Sequence, residues 1–261
     1  MIPSPIFITT ERYTVKIAET LSEIQQALQL RYEVFNLEMN EGLSSSHELG
    51  FDSDIYDTFC DHLLVIENAS QNVVGTYRLL RQDKAEAHIG FYSEGEFDLS
   101  QFKLLSGNSL EVGRSCVAKE HRSSAVINLL WNGISAYLHI YKISRLFGCV
   151  SLHTKNMNEV AMITEYIRTN YFAPTLFRVQ PLVHTQMQLP YCDPLAYQQF
   201  DSFRSMPPLM KGYFRLGAMV CGEPAYDKEF GTIDFFIVVE RERITERYRT
   251  HYLERNTQTA A

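Results

Sequence analysis

The chain has 261 residues, 45% of them hydrophobic and 21% charged, with 31 Asp and Glu against 24 Lys and Arg for a net charge of -7. Such a chain can bury a sizeable core, which excludes disordered and fibrous classes, and its acidic balance argues against a general nucleic-acid binder, whose footprint is basic. Its five cysteines, Cys60, Cys116, Cys149, Cys192 and Cys221, form no CxxC pair and fit free thiols in a reducing cytosol better than a disulfide frame or zinc ribbon.

The opening MIPSPIFITTERY lacks a basic segment followed by an apolar one, so no signal peptide is expected. Tyr13 to Ala18 reads as a strand, and Thr20 with Glu23 as a capping box that opens a helix. Ile24, Leu28, Arg31 and Phe35 then fall on one helical face. His62 to Glu67 and Val73 to Arg81 read as paired strands, and Leu110 to Ala118 as a third. Ser124 to Tyr141 is a strong helix, Leu146 to Leu152 a strand, Glu159 to Tyr171 a helix and Phe177 to Val183 a strand. Residues from about 185 to 208 carry Pro190, Pro194, Pro207 and Pro208 with little periodicity, and read as a long functional loop or insertion. Gly231 to Val239 is apolar on both faces, as a central strand is, but it is too short to cross a bilayer. An arginine-rich helix, from about 241 to 253, closes the chain; its arginines alternate with glutamates, the pattern of a solvated face. Strands mixed with helices predict one three-layer α/β/α domain spanning residues 1–261.

Several residues stand out chemically. Arg31, on an apolar stripe, requires an anionic partner, because an unpaired buried charge is costly; a structural ion pair and a substrate carboxylate both supply one. The run Asp52, Asp54, Asp57 and Asp61 could bind a cation, hold an amine or pair with Arg31 or Arg78, but lacks the glycine and closing glutamate of an EF-hand loop. In LEVGRSCVA, strict alternation sends Glu111 and Arg114 to opposite faces, and Gly113 between them is a candidate bulge able to re-aim a side chain. A strand splayed there exposes backbone N–H groups for an oxyanion, and Glu111 beside it is a candidate base for an attacking amine; ordinary cross-strand ion pairs explain the same charges. The turn Lys119–Ser124 joins two cations to a helix N-terminus, with Ser123 or Ser124 as N-cap. It contains no glycine, so it suits a single phosphate better than a diphosphate. Cys116, in mid-strand, reads as a small core residue, and no metal is assigned because the cysteines and histidines show no ligand spacing.

RYEVF (Arg31 to Phe35), DSDIYD (Asp52 to Asp57), GTYRLL (Gly75 to Leu80) and LEVGRSCVAKE (Leu110 to Glu120) occur in the order seen in acyl-homoserine-lactone synthases and related N-acyl amino acid synthases, both of the GNAT acyltransferase fold. FYSEGEFDL (Phe91 to Leu99) and the stretch from Pro207 to Val238 resemble the lyso-ornithine lipid synthase type more specifically. The resemblance implies a GNAT-like fold with a central mixed, splayed sheet, and an enzyme that moves a long acyl chain, often 3-hydroxylated, from acyl carrier protein to an amino acid's α-amine. It implies Glu111 as base through water, the Val117 amide at the oxyanion, and Arg31, Phe35, Asp54, Asp57, Arg78 and Arg114 as the frame of the site, with Tyr92 and Phe97 on the substrate side. It places the phosphopantetheine and the acidic carrier protein at Lys119, Arg122, Ser123 and Ser124, with no tightly bound cofactor and with acyl-CoA the less favoured donor. Apart from the resemblance, the free thiols and the lack of a bilayer-spanning stretch predict a cytoplasmic protein that at most sits on the inner membrane's surface. Lactone synthases carry a tryptophan where this chain has Glu41, which favours a plain amino acid over S-adenosylmethionine as acceptor. The alternatives are a conventional acetyl-CoA-dependent GNAT, a lactone-type signal synthase and a non-catalytic acyl-binding module.

Overall fold

The computed structural model describes residues 6–42 and 44–244. The chain read from sequence as one domain is laid out as two compact units, one of residues 6–90 and 108–144 and another of 91–107 and 145–244. In the first, β1 (Phe7–Thr9), β2 (Tyr13–Ile17), β3 (Asp61–Glu67), β4 (Val73–Arg81) and β5 (Asn108–Val117) lie side by side in that order, each antiparallel to its neighbour. Helix α1 (Leu21–Arg31) starts as expected, with Thr20 accepting from the Glu23 amide at 3.2 Å and Glu23 accepting in return from the Thr20 amide at 3.2 Å. Its buried stripe is Ala27, Leu30 and Arg31, not the Ile24–Leu28 line read from spacing.

Helices cover both faces of this sheet, as a three-layer arrangement requires. Ala27, Leu30 and Val34 pack on Leu64, Ile66, Val73 and Cys116. On the opposite face lies α2 (Ser124–Ile140). A Cβ at Gly75 would stand 3.0 Å from Val126, and one at Gly133 would stand 2.8 Å from Leu63, so two glycines let this helix approach the strands closely.

In the second unit, β6 (Ile143–Leu152) and β7 (Ala225–Asp227) flank β8 (Thr232–Glu240), both antiparallel to it. Strand β8 is buried along both faces from Thr232 to Val239, as its composition predicts. Phe97, Phe102, Phe147 and Phe236 form the aromatic core, with ring centroids 5.1 to 5.7 Å apart. Helix α3 (Met157–Asn170) follows β6. Phe177 to Val183 is not a strand: only Gln180–Pro181 pairs, with Phe97–Asp98, because Pro181 supplies no N–H to extend a ladder. The proline-rich segment contains two short helices, α4 (Pro194–Gln199) and α5 (Ser202–Ser205), and leads into α6 (Pro208–Leu216). Of the expected closing helix, a single turn at Arg241–Arg243 is seen and the remainder lies outside the described residues. All five cysteines are free, and no helix of the described residues is long and apolar enough to cross a membrane.

Candidate active site

The site is built on the α1 face of the first unit's sheet. After Arg31 the α-helix gives way to a π-helix over Tyr32–Glu38, a winding that is rare in general and concentrated at functional sites. Arg31 stands at that junction, 1% exposed. Phe35 rests partly buried against the Leu30–Leu64 cluster.

The partners Arg31 requires come from the aspartate-rich segment. Its Nε donates to Asp52 Oδ1 at 2.9 Å, with a second, shorter contact from Nη2, and its Nη1 donates to Asp57 Oδ1 at 2.6 Å. Asp54 and Asp57 also cap the turn Ile55–Thr58 reciprocally, which fixes both carboxylates. Arg78, 5% exposed, donates to Asp54 at 2.7 Å and to Asp57 at 3.3 Å. Arg114 approaches Asp52 at 3.5 Å and Asp54 at 3.6 Å. The acidic run is therefore engaged by guanidiniums, as one of the sequence readings has it.

Burial alone would raise the Asp57 pKa, but Arg31 and Arg78 more than offset it and hold this carboxyl far below its ordinary range. Their own pKa values rise: burial opposes the cation, and Asp52 and Asp57 for Arg31, or Asp57 and Asp54 for Arg78, overcome it. His62, paired across the strands with Arg78, is driven down by burial and is neutral at pH 7. The Cys60 thiol is pushed up to about 12, mainly by burial, and so is that of Cys116, which sits in the core as expected.

The strand carrying Glu111 departs from strict alternation. Arg78 faces Gly113 and Thr76 faces Cys116, so Arg114 and Ser115 together oppose the single residue Tyr77. This is a β-bulge one position beyond the glycine that suggested it, and Arg114 takes φ +47°, a left-handed conformation that costs a non-glycine residue energy. Up to the bulge Glu111 and Gly113 share a face with Arg78; after it Cys116 does. Arg114, which alternation would send to the α2 side, is turned toward Asp52 and Asp54 instead. Glu111 and Arg114 are thus on one face and not opposite ones. Glu111 is 5% exposed and lies within electrostatic reach of Cys60, as do Arg78 and Asp57.

Beyond the bulge, the Ala118 N–H bonds the Val74 carbonyl at 2.9 Å. In an antiparallel ladder consecutive amides point to opposite sides, so the Val117 N–H is directed away from β4. Its carbonyl accepts from Arg122 Nε at 3.0 Å. Arg122 also pairs with Glu38 at 2.6 Å, a partner 84 positions away for which the sequence gives no local signal. Lys119 is exposed at the following turn. Ser123 occupies the N-cap position of α2, but its hydroxyl makes no capping bond, and Ser124 is the first helical residue.

Tyr92 and Phe97 belong to the second unit, Tyr92 half-buried and Phe97 within the aromatic core. That unit also contains a cluster the sequence did not reveal: ligand atoms of Glu96, Cys149 and Asp234 lie within 4.8 Å of one another. Burial raises the Asp234 pKa to about 6 despite hydrogen bonds from Ser151 and Thr232.

Residues 30–132 match the acetyltransferase (GNAT) domain family. The chain is 39% identical to an L-ornithine N(alpha)-acyltransferase of Brucella abortus, over 91% of this chain and 88% of that one. It is 36% identical to one of Rhizobium meliloti, over 91% and 83% respectively. Among solved structures, FeeM, an N-acyl amino acid synthase from uncultured soil microbes, superposes with a TM-score of 0.53 at 10% identity, covering 95% of this chain and 99% of that one. The AHL synthase LasI gives 0.50 at 12% identity, covering 92% and 94%. At such identities these two likenesses concern the fold alone.

Proposed function

The chain belongs to the family of L-ornithine N(alpha)-acyltransferases, and we propose that it forms an amide between a long-chain acyl group and the α-amine of ornithine. The observation that carries the reading is the bulge at Arg114–Ser115, which gathers Glu111, Arg78 and Arg114 on one face above the aspartates. There, four carboxyl groups (Asp52, Asp54, Asp57 and Glu111) accompany three guanidiniums (Arg31, Arg78 and Arg114), a balance that favours a cationic amine as guest. The guanidinium partners fix Asp52, Asp54 and Asp57 in place, and that rigidity orients Glu111 and the acceptor.

In the proposed reaction Glu111, through a water molecule, takes the proton of the α-ammonium. The freed nitrogen lone pair attacks the thioester carbonyl, and the Val117 N–H receives the oxyanion. Glu111 gives that first proton up to solvent; collapse of the tetrahedral intermediate then breaks the C–S bond, and Glu111 relays the second proton from the nitrogen to the departing thiolate, so the products are amide, thiol and one solvent proton. The donor is an acyl-phosphopantetheine on acyl carrier protein, with Lys119 and the uncapped start of α2 at Ser123 and Ser124 receiving its phosphate and Arg122 facing the acidic carrier.

The test is product mass spectrometry on the purified protein with ornithine, a pooled amino acid mixture, and either 3-hydroxyacyl carrier protein or the matching acyl-CoA. Nα-acylornithine formed with the carrier donor is the expected result. Product from the acyl-CoA but not from the carrier donor, or no product from either donor, refutes the proposal.

A further inference from the structure

We propose that the second unit docks on an anionic lipid bilayer through the surface made by α5 and α6. Residues 202–216 contain Arg204, Lys211 and Arg215 and no acid, in a chain whose net charge is -7. The fold draws these three cations together. Lys211 Nζ donates to the Arg204 carbonyl at 3.1 Å, and the Arg215 guanidinium lies 5.9 Å from the centre of the half-buried Phe203 ring. Helix α6 buries Met210, Tyr213, Phe214 and Leu216 in its own unit and turns Arg215 and the 40% exposed Leu209 outward. Acids bordering this face are already engaged. Glu165 and Glu223 both accept from Arg168, at 3.1 and 3.0 Å, and Asp201 caps α5 through the Arg204 amide at 3.0 Å.

An aromatic shelf adjoins the cations. Phe203 lies 6.4 Å from Tyr166, Tyr166 lies 6.0 Å from Tyr171, and Tyr171 stacks on Phe214 at 3.9 Å. Both tyrosines are half-buried, with an apolar ring and a polar tip, the character that suits a water–hydrocarbon boundary. The neighbouring α4 leaves Leu195 69% exposed. An acidic protein partner would satisfy the cations but offer no use for outward leucines and a tyrosine shelf. A bilayer with anionic headgroups presents both chemistries at adjacent depths. The inference does not depend on which reaction the other unit catalyses.

The experiment is co-sedimentation of the full chain with vesicles of phosphatidylcholine alone and of phosphatidylcholine mixed with phosphatidylglycerol. Binding is expected only to the mixed vesicles, and weaker at high salt. Each basic side chain near such a surface strengthens partition by about fivefold, so Arg204→Gln/Lys211→Gln/Arg215→Gln should lower it by about 100-fold. Unchanged circular dichroism and urea midpoint would show that the variant folds. If losing the Lys211 bond unfolds it, Arg204→Gln/Arg215→Gln leaves that bond intact and should lower partition by about 25-fold. Failure to bind, equal binding to both vesicles, or full binding by the substituted chain overturns the proposal. So does a variant that keeps its vesicle partition but loses affinity for acyl carrier protein, since the surface would then belong to that partner.

Discussion

Replacing Arg31 by Met should expose the energetic role of its aspartates. Arg31 is 1% exposed and Asp52 fully buried, and they share two hydrogen bonds. Removing one member leaves the other buried charge short of a partner, Asp52 with only the 3.5 Å approach of Arg114 and Arg31 with only Asp57, at a cost of up to about 3–5 kcal/mol. Arg31→Met and Asp52→Asn should each destabilise by that amount, equivalent to a fall of roughly 6–20 °C in Tm for a chain of this size. If the cost is a stranded charge, the double variant should lose no more than about 5 kcal/mol, well short of the sum, because neither charge is left behind. The remaining Arg78–Asp54 and Arg78–Asp57 pairs keep the rest of the frame in place. Urea titrations of the four proteins at pH 7, with slopes checked for equality, measure the cycle. Losses that add to within about 0.5 kcal/mol would refute the reasoning and mean that each residue acts through packing alone.

Glu111→Gln should lower kcat by at least roughly 100-fold with an unchanged urea midpoint if the carboxylate is the general base; turnover at the native rate removes it from the mechanism. Glu38→Gln frees Arg122 from a 2.6 Å ion pair and should lower KM for the carrier-bound donor by about threefold at low salt, whereas Arg122→Glu should raise it. A KM indifferent to both changes would place the carrier elsewhere. Asp234 has a folded-state pKa raised by burial to about 6. Its unfolded form therefore ionises first as pH rises from about 4, and stability drains away until about pH 6, reaching at most about 3 kcal/mol. Asp234→Asn should match the wild type near pH 3.5 and exceed it at pH 8. Equal stability at pH 8 would contradict that sign.

Much of this was legible in sequence because it depends on local rules. Thr20 and Glu23 announced a helix start through side-chain geometry alone, and the apolar run Ile233 to Val239 announced a strand buried on both faces. An arginine on an apolar stripe implied a carboxylate partner, and the structure supplies two in Asp52 and Asp57. What could not be read depends on chain meeting chain. The bulge is defined by β4 as much as by β5, so Gly113 marked its neighbourhood but not the residues it displaced. The Arg122–Glu38 pair and the meeting of Glu96 with Asp234 join positions far apart in sequence, for which no spacing rule exists. Helical periodicity failed after Arg31 because π winding changes the angle per residue.

The extra residue opposite Tyr77 also sets which sequence changes this protein can survive. Deleting Ser115 would restore an even ladder and relieve the left-handed backbone at Arg114. The same deletion would turn Arg114 away from Asp52 and Asp54 and drive its guanidinium toward the buried side of Tyr77, where an unpaired charge is costly. The strained residue is thus what keeps a cation out of the core, and relieving the strain alone gains nothing. A library of one-residue deletions in β5 screened for stability should therefore be depleted of those at Ser115.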